Sequence, residues 1–154
     1  MSGSRLYPDR PFLAASVAVI RDGRVLLAAR ANPPAAHVFS LPGGVVEAGE
    51  TLAEAALREL REEVGVEAEI VGFLAPVDVI QRDGTGRVQH HFVVCAHVAR
   101  WIGGEPQIGA EALEIRWLAP EDLTRLGRDS EFRTTPGLAP ILSAAFALAA
   151  ERGL

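Results

Sequence analysis

Apolar residues recur along this chain with two different periods, and the places where the period changes mark its elements. Residues 12–20 form an apolar run rich in small and β-branched residues, which predicts a strand. The run stops at Arg21-Asp22-Gly23-Arg24 and resumes as Val25-Leu26-Leu27-Ala28-Ala29. Asp-Gly between two such runs predicts a hairpin, because that pair tolerates the backbone angles of a tight reversal. Asn32-Pro33-Pro34 then opens a loop that leads to Leu41-Pro42-Gly43-Gly44. From Thr51 the period becomes helical, with Ala53, Ala56, Leu57, Leu60 and Val64 on one face, so this face should pack on a core. Thr51 and Glu54 read as a capping box and Gly65 as the stop.

Two longer strands are expected at residues 67–80 and 87–99, around a turn at Arg82-Asp83-Gly84-Thr85-Gly86, and a shorter one at residues 112–118. Pro120 opens a short helix. Leu138, Ile141, Leu142, Ala145 and Leu148 return to helical spacing, with the start left open between Pro140 and the residues before it. The order β-β-α-β-β-β-α-α predicts an α/β (α+β) domain whose mixed sheet is flanked by helices. No repeat or linker divides the chain, so residues 1–154 read as one domain with residues 1–10 flexible.

Composition narrows the possible partners. With 154 residues, 49% hydrophobic and 23% charged, the chain can bury a core without metal or disulfide staples. A net charge of −5 argues against a nucleic-acid polymer as partner, since that affinity comes mainly from Lys and Arg on phosphates. It leaves room for a small anionic substrate, because a bound divalent ion can reverse the local charge. Cys95 stands alone in the apolar run 92–96, so no internal disulfide forms, and it reads as a buried small hydrophobe. A reducing, cytoplasmic setting follows from that usage. The first residues carry no apolar core of signal-peptide length, and the apolar stretch 138–150 is too short to span a bilayer, so no membrane is expected as partner.

The polar side of the 51–64 helix carries the chemistry. Glu59, Glu62 and Glu63 stand at i, i+3 and i+4, on one narrow stripe. Some of the spacing suits a solvated face, since Glu54–Arg58 and Arg58–Glu62 are favourable pairs one turn apart. The rest does not. Glu59 and Glu63 repel at i,i+4, and Glu62 and Glu63 occupy the last turn, where the helix dipole disfavours anions by roughly 0.3–1 kcal/mol each. Acids gathered at the wrong helix end point to a cation site. With no His or Cys beside them, they suit a hard ion such as Mg²⁺ or Mn²⁺. Gly43-Gly44 permits close backbone approach just upstream, and Gly49 lets the chain turn into the helix.

Gly44, Glu50 and the run Arg58-Glu59-Leu60-Arg61-Glu62-Glu63-Val64-Gly65-Val66 match every defining position of the Nudix box, and the chain resembles the Nudix hydrolase family. The resemblance implies an α/β/α sandwich and Mg²⁺-dependent cleavage of a diphosphate bond in a nucleoside diphosphate linked to another group. By position, it implies Glu59 and Glu63 as the main metal ligands and Glu62 as a further ligand or a base for the metal-bound water. The Gly43 carbonyl would be a main-chain ligand, and Arg58 and Glu50 the pair that orients the glutamates. Many members dimerise, so a homodimer is among its expectations.

Outside the box, relatives often supply an acid near the metals from the region before the strand end at Trp117, where Glu111 and Glu114 lie, and Glu111 is the candidate base. Glu47 in the loop has a similar standing, and Arg30 is expected to meet substrate phosphate. Phe39 either stacks on a base or packs on the sheet; His37, His90 and His91 are weaker candidates, and Trp101 and Trp117 read as packing residues. The subfamily markers are mostly absent: Pro76 falls too close to the box for the ADP-ribose spacing, and the sole tyrosine is Tyr7. The compact pattern with its Ser40-Leu41-Pro42-Gly43-Gly44 lead-in most resembles bacterial ADP-ribose or nucleoside-diphosphate-sugar pyrophosphatases. A nucleoside triphosphate pyrophosphohydrolase is the first alternative. A silent nucleotide-binding module is the second, set against by the intact box glutamates.

Overall fold

The computed structural model describes residues 4–30, 38–126 and 132–154; the Asn32-Pro33-Pro34 loop and His37 lie outside the described residues. Strands β1 (Phe12–Arg21) and β2 (Arg24–Arg30) form the expected hairpin. Asp22 and Gly23 both take positive φ, 50° and 74°, as the tight two-residue reversal requires. Two short strands follow where the sequence suggested only loop: β3 (Phe39–Ser40) and β4 (Gly43–Val45). Segments of two and three residues carry no readable period. They are strands because β2 and β1 offer them backbone partners.

Helix α1 (Leu52–Val64) starts and ends on the residues the sequence marks. Thr51 Oγ1 accepts from the Glu54 amide at 3.1 Å, and Glu54 accepts in return from the Thr51 amide at 3.3 Å. Gly65 takes the left-handed conformation, φ 72°, and its amide donates to the Arg61 carbonyl at 3.0 Å. Strands β5 (Glu67–Arg82) and β6 (Val88–Gly103) run somewhat beyond the expected ends and form a long antiparallel ribbon. After β7 (Ala112–Leu118), a 3₁₀ helix covers Pro120–Arg125 and α2 spans Leu138–Glu151. Pro140 therefore sits in the first turn of α2, where its missing N–H leaves no bond unmade. Within the stretch expected to be flexible, Tyr7 is tied down: its amide donates to Gln89 O and its hydroxyl to Asp83 Oδ2, both at 2.9 Å.

The sheet is mixed. Its order is β3-β2-β1-β6-β5, with β4 also paired to β1 and β7 to β2; among the described strand pairs β1–β6 is the parallel one. β1 and β2 pair only at Ile20–Val25 and Arg21–Arg24 beside their turn. They then part: β1 takes β4 at Ala14–Ser16, while β2 takes β7 and β3. At the open end of this fork stand Gly43, Arg30 and the start of β7.

Each face of the sheet is covered by one helix. On one side Ala15, Val17, Val19, Leu26 and Ala99 meet Ala55, Ala56, Leu60 and Val64 of α1. On the other, Ala18, Val25, Leu27, Phe39 and Val98 meet Leu138, Leu142, Ala145 and Ala149 of α2. Ala55 rather than Ala53 is fully buried, because the face turned to the sheet is wider on that side than a strict i,i+4 stripe. Cys95 is buried as a small hydrophobe, and among the described residues no helix is long and apolar enough to cross a membrane.

Leu60 is wholly buried and its helix carries the carboxylates, so packing and site share one anchor. Leu60→Ala should cost about 2–5 kcal/mol of stability. Urea unfolding followed by circular dichroism measures it, and a loss below about 1 kcal/mol would show that α1 is not held by this contact.

Candidate active site

One helical turn separates Glu59 from Glu63, so α1 presents both on the same side, toward the open fork of the sheet. The carboxyl of Glu111 joins them from the segment just before β7. One oxygen of each of the three lies within 4.8 Å of the others. β7 brings Glu111 there by pairing with β2, which sets Ala112 opposite Arg30. An acid 48 residues downstream of Glu63 thus reaches the helix through strand register.

Glu59 and Glu63 are partly buried and Glu111 is exposed. Loss of water pushes the Glu63 pKa up to about 7; the Arg30 charge and the Gly43 amide pull it down, and Glu59 and Glu111 add to the rise. The Gly43 amide donates to Glu63 Oε1 at 3.3 Å. Both glycines of the pair matter for space rather than for backbone angle. A Cβ on Gly43 would overlap the Ala15 carbonyl, and one on Gly44 would overlap the carboxyl carbon of Glu59. The room made by Gly44 for a carboxylate is a function the sequence did not reveal, since nothing in the spacing says which helix residue faces it.

Arg58 ties the approach loop to the helix. Its Nε and Nη2 donate to both oxygens of Glu50 at 2.7 and 3.0 Å, and Nη2 also donates to Val45 O at 3.1 Å. Nη1 reaches Glu59 at 2.9 Å and Glu62 at 3.2 Å. Charge-assisted bonds of this kind raise the Arg58 pKa further above its usual range, chiefly through Glu50, and lower that of Glu50 in return. Glu50 also accepts from the Glu47 amide at 2.9 Å, which closes the loop 45–50 on itself.

The expected residues divide into those the fold gathers and those it does not. Glu59, Glu63, Glu111, Gly43 and Arg30 converge, with Arg58 and Glu50 holding them from one side. Glu62 stays outside the cluster, half-exposed and paired with Arg58. Glu47 is exposed, its carboxylate 3.9 Å from Arg58. Glu114 pairs with Arg116 at 2.9 Å. Of the two parts expected for Phe39 the fold favours packing over substrate binding: the side chain is 1% exposed and stacks on Phe132 at 4.7 Å. His90 lies against Phe92, and Trp101 lies under the Arg21 guanidinium at 3.8 Å.

A helix–sheet–helix sandwich with clustered acids beside a side-chain-free turn suits a hydrolase of phosphoric anhydrides. Residues 10–138 match the NUDIX domain, and the chain belongs to the Nudix hydrolase family. It is 35% identical over 127 residues to the ADP-ribose pyrophosphatase of Methanocaldococcus jannaschii, which covers 82% of this chain and 72% of that protein. It is also 35% identical over 133 residues to the CTP pyrophosphohydrolase of Escherichia coli, covering 86% of this chain and 89% of that one. The crystal structure of a MutT NUDIX hydrolase from Burkholderia pseudomallei superposes with a TM-score of 0.72 at 30% identity, over 88% of this chain and 98% of the other.

Two outcomes follow from the geometry. The Glu63 carboxyl binds its proton more tightly folded than unfolded, so the metal-free protein should lose stability as pH rises from the ordinary carboxylate range through about 7. Melting curves across that range should show the fall, and Glu63→Gln should flatten it; a mutant curve parallel to wild type would refute the burial argument. Gly44→Ala meets only the far end of the Glu59 side chain, so the fold should survive while the carboxylate is displaced. Mn²⁺ binding should weaken by about 10- to 100-fold with little change in melting temperature, and unaltered binding would show that Glu59 has room to spare.

Proposed function

We propose that the chain uses Mg²⁺, with Mn²⁺ as a substitute, to hydrolyse the diphosphate bond of a nucleoside diphosphate linked to a second group. ADP-ribose or a nucleotide sugar is the favoured substrate. The observation that carries this reading is the cluster of Glu59, Glu63 and Glu111 at the Gly43-Gly44 turn. Three oxygen donors with no nitrogen or sulfur among them suit a hard divalent ion. Crowded like charges, and a glutamate that keeps its proton near neutral pH without a cation, suit one further.

In this reading Glu59 and Glu63 hold the ion together with the Gly43 carbonyl, and Glu62 is a further ligand or a base. Glu111 takes the proton of the attacking water or completes the ligand set. Arg58 and Glu50 keep the loop and Glu59 in register, as their mutual hydrogen bonds suggest. Arg30, whose charge already acts on Glu63, faces the phosphates, and Glu47 borders the entrance. When bound, the ion supplies Lewis-acid stabilisation of charge on the phosphate oxygens and makes the attacking water more acidic. The lone buried Cys95 suits a reducing, cytoplasmic setting.

The relative named ADP-ribose pyrophosphatase supports the choice of substrate. The relative named CTP pyrophosphohydrolase, equal in identity and more complete in coverage, supports a second reading as a nucleoside triphosphate pyrophosphohydrolase. Both readings need the same carboxylates and differ in what the pocket accepts beyond the phosphates.

Turnover of ADP-ribose, nucleotide sugars, dinucleoside polyphosphates and nucleoside triphosphates, each with Mg²⁺ and with EDTA, separates them. Activity should vanish in chelator, and Glu63→Gln should lower kcat by about 100-fold or more while the circular dichroism spectrum stays native. Full turnover by that variant, or in EDTA, would sink the proposal.

A further inference from the structure

The segment between β6 and β7 is anchored to the end of α1 along its first half. Gly104, at φ 81°, lies so close to the end of α1 that a Cβ there would overlap the Gly65 carbonyl oxygen, with the Val66 Cα at 3.3 Å behind it. Backbone meets backbone at that point, so no rotamer change relieves a larger residue. The Gly104 carbonyl accepts from Trp101 Nε1 at 2.8 Å. Trp101 in turn lies under Arg21, whose guanidinium grips both oxygens of Glu105 at 2.9 and 3.0 Å. Three residues on, the Gln107 amide donates to Val64 O at 2.9 Å, capping a carbonyl that the helix end leaves without an internal partner. Only Ile108, Gly109 and Ala110 then separate this bond from Glu111, and the Gly109 amide closes that stretch onto Ala112 O at 3.0 Å.

The last turn of α1 therefore holds Glu63 and, one residue later, receives the segment that ends in Glu111. We propose that Gly104 and Trp101 are positioning residues: they fasten this arm to the C-terminal end of α1 and thereby fix how far Glu111 reaches toward Glu59 and Glu63. The helix end then serves as a common reference for two carboxylates far apart in sequence. Neither residue takes part in the reaction itself. The inference rests on the proposed role of Glu111 in hydrolysis.

The test is a double-mutant cycle on the full chain with Gly104→Ala, Glu111→Gln and the two combined, with ADP-ribose and CTP as probe substrates and Mg²⁺ present. A displaced acid should lower kcat by about 10- to 100-fold with KM changed by less than about threefold, and the double variant should be no slower than the slower single one. Mn²⁺ affinity, read from the loss of its free electron paramagnetic resonance signal, should show the same non-additivity without turnover. Trp101→Phe keeps an aromatic ring under Arg21 and removes the hydrogen bond to Gly104, so it gives a milder loss of the same kind even if Gly104→Ala does not fold.

If Glu111→Gln is slow while Gly104→Ala and Trp101→Phe keep wild-type kcat and Mn²⁺ affinity, the tether is overturned and the hydrolase reading stands. Losses that multiply in the double variant would overturn it too, since they mean general damage. If Glu111→Gln alters neither turnover nor Mn²⁺ affinity, the role of Glu111 falls and the tether falls with it.

Discussion

Three carboxyl groups whose oxygens approach within 4.8 Å repel one another, and one of them, Glu63, sits in the last turn of a helix whose dipole also opposes negative charge. Much of the architecture around them can be understood as the means of holding that arrangement. Arg58 offsets the charge of Glu59 and uses its remaining donors on Glu50 and the Val45 carbonyl, so one guanidinium both lowers repulsion and fastens the loop. Glu63 has a weaker arrangement, one backbone amide and the field of Arg30, and burial outweighs both.

That arrangement persists because the helix beneath it is anchored by apolar contact. Ala55, Ala56, Leu60 and Val64 lie against a sheet face of small residues, Ala15, Ala28 and Ala68 among them, which lets α1 come close to the strands. Small side chains recur at the site itself for the same reason. Gly43 packs directly on Ala15, and Gly44 leaves the volume that the Glu59 carboxyl fills. Close approach of helix to sheet and room for a carboxylate both come from small residues where two elements meet, alanines in the first case and glycine in the second.

The fork between β1 and β2 supplies the rest. A sheet paired along its whole length would present a continuous surface to α1. Here β1 and β2 share only the residues beside their turn, and each finds a different neighbour beyond it. The opening brings the Gly43-Gly44 turn from one branch and Arg30 with Glu111 from the other toward the same helix. The chain's membership of the Nudix hydrolase family is consistent with this design.

The sequence by itself determined the elements whose signals are local. Capping of α1 by Thr51 and Glu54, its stop at Gly65, the Asp22-Gly23 hairpin and the acid stripe on α1 all rest on contacts within a few residues, which spacing expresses directly. The match from Gly44 to Val66 likewise lies within one continuous segment. What tertiary structure decided is everything that depends on register between distant strands. It chose Glu111 over Glu114 as the third acid, because β7 pairs with β2 so that the segment before Ala112 meets the helix while Glu114 turns to Arg116. It turned Phe39 into the core through its stack on Phe132, and it made strands of β3 and β4, which are too short to show a period. Side-chain direction along a strand alternates residue by residue, so a shift of one place in pairing reverses it, and no one-dimensional pattern records which pairing the core selects.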